Sequence, residues 1–201
     1  MTNSEKISYA LGISMAQQMI RSGIYEADYK ILAEAIEDML KNKEPKLPMQ
    51  EAAVILNDFI NQKEVEMAKM NKDVADRFLE GNKSMPGIQT TASGLQYKVD
   101  FESENENAKR PKATDEVEVK YRGKFLSGEI FNDTEAKGHT VTFPLAQVIQ
   151  GWTEGLQLMK EGDKFTFYVP YNLAYGAAGN DVIPPFSALI FEIELVKVLE
   201  K

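Results

Sequence analysis

The chain has 201 residues, enough for one or two domains with ordinary hydrophobic cores, and its 31 acidic and 23 basic residues give a formal net charge of −8. This charge repels phosphate backbones, so we expect no nucleic-acid partner. Cysteine is absent and histidine occurs once, at His139, which excludes disulfides, thiolate nucleophiles and multi-histidine zinc sites, and we expect neither a metal nor a cofactor.

The N-terminal segment MTNSEKISYA lacks the basic and then apolar pattern of a secretory leader, and no run of 18 or more apolar residues follows it. We therefore expect no membrane insertion and a cytoplasmic location. The periplasm is the alternative location if a leader has been removed from the chain.

Two amphipathic helices are predicted in the first 48 residues. Apolar residues recur at intervals of three and four from Ser4 to Ile20 and again from Tyr29 to Leu40, with Asp28 as a candidate N-cap of the second helix. Two helices of this length cannot bury both of their apolar faces alone. We therefore expect residues 1–48 to form a helical module that needs a partner surface.

A long helix is predicted next, over residues 49–81, because neither glycine nor proline interrupts the chain from Met49 to Glu80. At ~1.5 Å per residue it would reach roughly 45–50 Å. Lys63 and Arg77 interrupt its apolar stripe, which argues against a continuous coiled coil. Two interpretations stay open: the first two helices of a second copy cover its apolar half, or the helix stands alone in solvent.

After a predicted linker, residues 82–93, the hydrophobic period changes from that of a helix to two. Alternating apolar residues predict strands of an antiparallel sheet with one buried face, in the segments Leu95 to Phe101, Val117 to Tyr121, Phe165 to Val169 and Leu189 to Leu195. The polar segment from Glu102 to Asp115 predicts a loop. Gln147 to Met159 is the one helical candidate, so residues 94–201 are predicted to form an α+β domain of one sheet and one short helix.

Four motifs occur in a fixed order in this second half of the chain. They are V-x-Y-x-G at Val119–Gly123, GEIFNDT at Gly128–Thr134, VIQGWTEGL at Val148–Leu156, and AYG at Ala174–Gly176 followed by IPP and LIFEIEL up to Leu195. In this order they resemble the FK506-binding class of peptidyl-prolyl isomerases. The second motif departs from the family pattern, because Asn132 and Asp133 stand where the family has aspartate and serine.

This resemblance implies a fold and a function. The fold would be an all-helical dimerisation module with a long connecting helix, and then a half-barrel antiparallel sheet wrapped around a short helix, as in the bacterial macrophage-infectivity-potentiator-like group. The protein would be a homodimer joined through residues 1–60. It would catalyse cis-trans isomerisation of X-Pro bonds in folding clients by desolvating and twisting the bond, and an FK506-like macrolide is a possible ligand.

The resemblance also assigns site residues. It implies catalytic roles for Tyr121, Phe131, Asn132, Trp152, Tyr175 and Phe191, and substrate-binding roles for Phe143, Val148, Ile149 and Ile183. The backbone N–H of Ile183 would bind a substrate carbonyl, and Trp152 would form the floor of the pocket. Taken without the ordered motifs, the same aromatic residues would also suit the core of a small sheet.

The Asn132 departure leaves an alternative function open. Asparagine keeps a hydrogen-bond acceptor but loses the charge, and Asp133 could replace it only if the loop rotated, because neighbouring strand residues face opposite ways. We therefore expect reduced isomerase activity and weakened macrolide binding. The alternative is a homodimeric chaperone or tethering module that binds proline-containing segments with little turnover.

Overall fold

The computed structural model describes residues 1–134, 136 and 138–199, apart from the side chain of Arg21. Two compact units divide the chain, and the boundary between them falls between Met67 and Ala68. Among the described helices, none combines the length and the apolarity that crossing a bilayer requires.

The first unit is helical, as the sequence predicts. It contains α1 (Asn3–Arg21), α2 (Tyr29–Leu40) and the first part of α3 (Met49–Asn82). At the start of α1 a capping box forms, in which Glu5 N–H donates to Thr2 Oγ1 at 3.3 Å and Thr2 N–H donates to the Glu5 carboxylate at 2.6 Å. Asp28 caps α2, accepting from the N–H groups of Lys30 and Ile31 at 3.0 and 3.1 Å. Local side-chain chemistry therefore fixes where both helices begin.

The last part of α3 belongs to the second unit and packs on its sheet. Ala75 is buried, and the ring of Phe78 lies 5.9 Å from that of Tyr168. Near the end of the helix, Gln96 Nε2 donates to the carbonyl of Leu79 at 2.7 Å, and Asn82 Nδ2 donates to Gln96 Oε1 at 2.8 Å. The helix that the sequence predicts as a connecting arm thus contributes its final turns to the sheet domain.

The second unit is built on one antiparallel sheet. Its strands are β1 (Ile88–Thr90), β2 (Gln96–Phe101), β3 (Glu116–Phe125), β4 (Ile130–Asp133), β5 (Val141–Pro144), β6 (Lys164–Val169) and β7 (Leu189–Leu199). They follow the order β1-β2-β6-β7-β3-β4, and β5 also pairs with β3. Every pairing is antiparallel. The predicted α+β fold class is confirmed.

Three features of the sheet differ from the sequence-based expectation. β1 lies inside residues 82–93, the segment predicted as a linker, and pairs with β2 at the edge of the sheet. The short strands β1, β4 and β5 show too few alternations to be recognised from the sequence. Val99 and Phe101, predicted on the buried face, are 37% and 53% exposed, and a bulge between them ends the regular register of β2 on β6.

The short helix α4 (Gln150–Leu156) packs directly against β6. It is shorter than the predicted segment at both ends: Gln147 belongs to a 3₁₀ turn and Val148 is extended, and the helix ends at Leu156 rather than at Met159. A Cβ atom at Gly151 would lie 2.5 Å from Val169 Cγ1, and one at Gly155 would lie 2.6 Å from Phe167 Cε1. Both glycines therefore allow the close approach that brings Trp152 into the core.

Candidate active site

A cavity of about 440 Å³ opens in the second unit beside Trp152. Its lining consists of Tyr121, Phe131, Asn132, Phe143, Gln147, Val148, Ile149, Trp152, Tyr175, Asn180, Val182, Ile183 and Phe191. Every side chain for which the sequence predicts a catalytic or binding role is in this set, so the structure brings them all together. Their roles remain predictions.

These side chains come from several elements that converge on the cavity. The central strands β3 and β7 supply Tyr121 and Phe191. Tyr121 pairs with Ile193 and Phe191 pairs with Gly123, so the two cavity residues are diagonal neighbours across the strands. The outer strands β4 and β5 and the segment entering α4 supply most of the remaining wall, and the loop between β6 and β7 completes it. Because residues distant in the chain meet here, the cavity exists only in the folded domain.

Trp152 lies at the base of the cavity, and three aromatic rings orient it. The rings of Tyr121, Phe191 and Phe143 have centroids 4.9, 5.3 and 5.9 Å from the indole and meet it edge-on, at 87°, 85° and 81°. Such pairs contribute about 0.5–1.5 kcal/mol each beyond the burial of their area. Within the described part of the chain, the buried indole Nε1 has no hydrogen-bond acceptor. Ring packing rather than hydrogen bonding therefore orients Trp152.

The glycine of the V-x-Y-x-G motif has a structural reason. A Cβ atom at Gly123 would lie 2.6 Å from two ring carbons of Phe131 and 3.1 Å from the ring of Phe191. The rings of Phe131 and Phe191 themselves pack edge-on, at 5.7 Å and 86°. Only a residue without a side chain lets Phe131 lie across β3 and form one wall of the cavity.

Tyr121 and Asn132 form the main polar contact inside the cavity. Asn132 Nδ2 donates to the Tyr121 hydroxyl oxygen at 2.6 Å. Burial raises the pKa of the Tyr121 phenol, and the neighbouring Tyr175 adds to this rise while the hydrogen bond from Asn132 opposes it. The phenol therefore keeps its proton at neutral pH.

Asp133 does not take the place of the missing carboxylate. Its Oδ2 accepts from Arg122 Nε at 2.7 Å, and its Oδ1 accepts from the N–H of Ala136 at 2.9 Å. Asn132 also differs from the expectation, which assigned it an acceptor role, because its amide nitrogen acts as a donor to Tyr121. The described lining of the cavity thus contains no carboxylate.

The loop between β6 and β7 closes one side of the cavity through Asn180. The Asn180 N–H donates to the carbonyl of Ile183 at 2.8 Å. Its Oδ1 accepts from the N–H groups of Val182 and Ile183 at 2.9 and 2.7 Å. The expectation that the Ile183 N–H is available to a substrate carbonyl is therefore wrong for this conformation, because that N–H already has an acceptor.

Three lining residues have no role in the sequence-based prediction: Gln147, Asn180 and Val182. A signal for Asn180 is present in the sequence, since an asparagine in a loop commonly forms a turn in which its side chain bonds the backbone two residues further on. Gln147 and Val182 lie next to motif residues but carry no signal of their own.

The chemistry available in the cavity is limited. None of its described lining residues is an aspartate, glutamate, lysine, arginine or histidine. The described residues also contain no group of three or more histidine, cysteine or acidic side chains placed to bind a metal. The arrangement suits an apolar ring bound against Trp152, with polar groups at the rim to orient a neighbouring peptide unit.

Comparison with known proteins agrees with this geometry. Residues 107–196 match the pattern of FKBP-type peptidyl-prolyl cis-trans isomerases, and residues 4–99 match the domain found amino-terminal to them. A probable FKBP-type peptidyl-prolyl cis-trans isomerase FkpA from Neisseria meningitidis is 40% identical over 205 residues, which cover 96% of this chain and 74% of that protein. The chain belongs to the FKBP-type peptidyl-prolyl isomerase family. It is a peptidyl-prolyl cis-trans isomerase that assists protein folding.

Two further comparisons concern the isomerase as a whole. The crystal structure of FkpA from Escherichia coli matches with a TM-score of 0.74 and 32% identity, over 99% of this chain and 98% of that one. The outer membrane protein MIP of Legionella longbeachae is 35% identical, over 98% of this chain and 86% of that protein. The similarity to members of this family therefore extends over both the helical module and the sheet domain. The expected cytoplasmic location receives no support from these relatives.

Proposed function

We propose that the cavity beside Trp152 is where this isomerase binds and twists X-Pro bonds. The observation that carries the proposal is that one cavity is lined by all the side chains to which the family motifs assign a catalytic or substrate-binding role. In the proposal Trp152 is the floor against which the proline ring packs. Tyr121, Phe131, Phe143, Val148, Ile149, Ile183 and Phe191 are the apolar walls, Asn132 orients Tyr121, and Tyr175 orients the peptide at the rim.

The proposed mechanism needs no proton transfer. An X-Pro bond resists rotation by ~18–20 kcal/mol because resonance keeps it planar, and the planar form separates more charge than the twisted form. Moving the bond from water into the apolar cavity destabilises the planar form relative to the twisted one. If fixing the ring on Trp152 and the carbonyl at Tyr175 brings the total to about 5–7 kcal/mol, the rate rises by roughly four to five orders of magnitude.

The absence of aspartate, glutamate, lysine, arginine and histidine from the described lining supports this mechanism. A solvent isotope effect tests it directly. We expect the catalysed exchange of a Leu-Pro peptide to have the same rate in H₂O and D₂O. A rate reduced about twofold or more in D₂O would contradict the mechanism, because it would place a moving proton in the rate-limiting step.

A matched pair of tyrosine variants tests the site. Tyr175→Phe removes a hydroxyl at the cavity rim, whereas Tyr168→Phe removes one outside the cavity, where the ring packs on Phe78 of α3. We expect Tyr175→Phe to lower kcat/KM by about threefold to tenfold, the value of one neutral hydrogen bond. Tyr168→Phe should leave it unchanged. Equal effects of the two variants would exclude a specific role for Tyr175.

The same kinetics address the alternative of a binding module with little turnover. Such a module would bind a Leu-Pro peptide without accelerating its exchange. An isomerase accelerates exchange at concentrations far below that of the peptide, and its benefit to a refolding client disappears with the Trp152→Ala variant.

We also propose that residues 1–60 join two copies of the isomerase. The support is the apolar surface of the first unit: Ile7, Leu11, Ile31 and Leu40 are 55%, 62%, 59% and 79% exposed. Full burial of one such side chain contributes about 1.5–3 kcal/mol. A second copy can cover these residues, and it also explains why helices this short are stable. In this proposal residues 1–48 form the dimerisation module, residues 49–81 form the helix that connects it to the second domain, and residues 94–201 form the catalytic domain.

A macrolide ligand is a further part of the proposal. An FK506-like macrolide would enter the same cavity, with affinity limited by Asn132, because the amide offers no negative charge to a ligand hydroxyl. Competition between the macrolide and a Leu-Pro peptide tests this: inhibition of exchange is expected, and exchange unaffected at millimolar macrolide would exclude it.

For location, we propose the cell envelope, either the periplasm or its outer-membrane face. The support is the name of one relative, an outer membrane protein. Osmotic shock of cells that express the gene natively should release the isomerase with periplasmic markers. Its recovery with cytosolic markers alone would contradict this proposal.

A further inference from the structure

The side-chain amide of Asn180, in the cavity wall, is fixed in orientation, and its donor has no partner within the described part of the chain. Asn180 Oδ1 accepts from two backbone N–H groups, those of Val182 and Ile183, at 2.9 and 2.7 Å. A reversed amide would place an NH₂ group against those two donors, so the hydrogen bonds determine which end is oxygen. The nitrogen, Nδ2, is therefore held at a known end of the side chain.

Among the residues that the structure describes, the donor on Asn180 Nδ2 has no acceptor, and Asn180 lines the cavity together with Tyr175. Gly179 helps to fix the position of the loop, because a Cβ atom there would lie 2.2 Å from the carbonyl oxygen of Ile183. The amide is thus held by a tightly closed turn. Because its side chain is already ordered, binding of a ligand requires little further ordering of it.

A donor suits the ligand that this cavity would bind. An X-Pro unit carries the carbonyl of the residue before proline, but proline has no N–H. Around the X-Pro bond the peptide is therefore rich in hydrogen-bond acceptors and poor in hydrogen-bond donors. A wall that offers N–H groups matches it, whereas a wall of acceptors would leave the carbonyl desolvated and unpaired.

We propose that Asn180 Nδ2 donates a hydrogen bond to a backbone carbonyl next to the X-Pro bond and so sets the affinity for extended peptide segments. The inference rests on the proposed role of the cavity in substrate binding. Since the contact is to backbone, it contributes affinity with little regard to the side chain before proline. It acts in the ground state and the transition state alike, so it lowers KM rather than raising kcat.

Asn180→Asp separates this role from that of closing the loop. The carboxylate is nearly isosteric and keeps an acceptor for the N–H groups of Val182 and Ile183, but it has no donor at neutral pH. With a capped, uncharged Leu-Pro peptide we expect KM to rise by about threefold to tenfold, which corresponds to the loss of one neutral hydrogen bond. We expect kcat to stay unchanged. Asn180→Ala loses both functions and should alter kcat as well.

A second readout follows the amide itself. On addition of the peptide, the side-chain NH₂ resonances of Asn180 should move downfield in ¹⁵N–¹H spectra. Wild-type KM in Asn180→Asp, or NH₂ resonances unmoved at saturation, would overturn the inference. Phe131→Ala makes the failures distinguishable: if it is inactive while Asn180→Asp is normal, only the role of Asn180 fails, and if it is fully active, the cavity itself is not the site.

Discussion

Replacing Asn132 by aspartate reverses one hydrogen bond in the cavity. At present Asn132 Nδ2 donates to the Tyr121 hydroxyl oxygen at 2.6 Å. In the Asn132→Asp variant the hydroxyl would donate to a carboxylate, and a second carboxylate oxygen would become available to a ligand. The change exchanges one nitrogen for one oxygen and leaves the packing of Phe131 and Tyr121 as it is.

The magnitude follows from the charge of the new acceptor. Hydrogen bonds between neutral groups contribute about 0.5–1.5 kcal/mol, and those to charged groups about 1.5–3 kcal/mol. The difference of about 1–1.5 kcal/mol corresponds to roughly a fivefold to tenfold change in an equilibrium constant. Asn132 is only partly buried, so desolvation of the carboxylate offsets part of this gain. We expect an FK506-like macrolide to bind about fivefold tighter, with a smaller increase in kcat/KM.

Titration calorimetry with the macrolide and NMR exchange of a Leu-Pro peptide measure the two effects. Asp133→Asn is the matched control, because it makes the opposite change at the neighbouring residue, whose carboxylate pairs with Arg122 outside the cavity. It should leave macrolide affinity unchanged. If Asn132→Asp leaves both affinity and activity at wild-type values, the reasoning about the missing charge is wrong.

Gly155→Ala should lower the free energy of unfolding by about 1–2 kcal/mol, because its Cβ would lie 2.6 Å from Phe167 and overpacking outweighs the gain in helix propensity. Gly81→Ala is the control and should not destabilise the protein, because a Cβ atom there has nothing within 4 Å. Thermal melts of the two variants measure the difference. The raised pKa of Tyr121 predicts that the stability it contributes is complete below about pH 10, the ordinary value, and is lost as pH rises through the higher folded value. Quenching of the single tryptophan by ionised Tyr121 should report that midpoint and be absent from Tyr121→Phe; a midpoint below 10 contradicts the pKa. The double variant Ile7→Asp and Leu11→Asp should give a monomer mass in light scattering. The control Ile130→Asp, which changes an exposed isoleucine of β4, should keep the dimer mass. A monomeric wild type at micromolar concentration would refute dimerisation.

The sequence predicts the elements whose periodicity is long enough to recognise. α1, α2 and α3 follow the helical spacing of their apolar residues, and Asp28 marks the start of α2. The strands β3, β6 and β7 alternate over most of their length. β4 and β5 span four residues each and cannot show a period, and their existence depends on pairing with the distant strand β3.

The candidate site divides in the same way. Trp152 and the aromatic walls lie in ordered motifs, so a family resemblance finds them. The contribution of Asn180 depends on a turn that closes in three dimensions, and the resulting engagement of the Ile183 N–H cannot be read from the neighbouring letters. The direction of the Asn132 hydrogen bond likewise depends on where the Tyr121 hydroxyl lies.

The most direct test of the account is the rate of cis-to-trans exchange in a capped Leu-Pro peptide, measured by NMR with catalytic amounts of the wild type and of Trp152→Ala. The proposed mechanism predicts acceleration by the wild type, and loss of that acceleration in a Trp152→Ala variant that still shows a folded sheet domain. Acceleration that survives the loss of Trp152 would contradict the claim that this cavity catalyses the reaction.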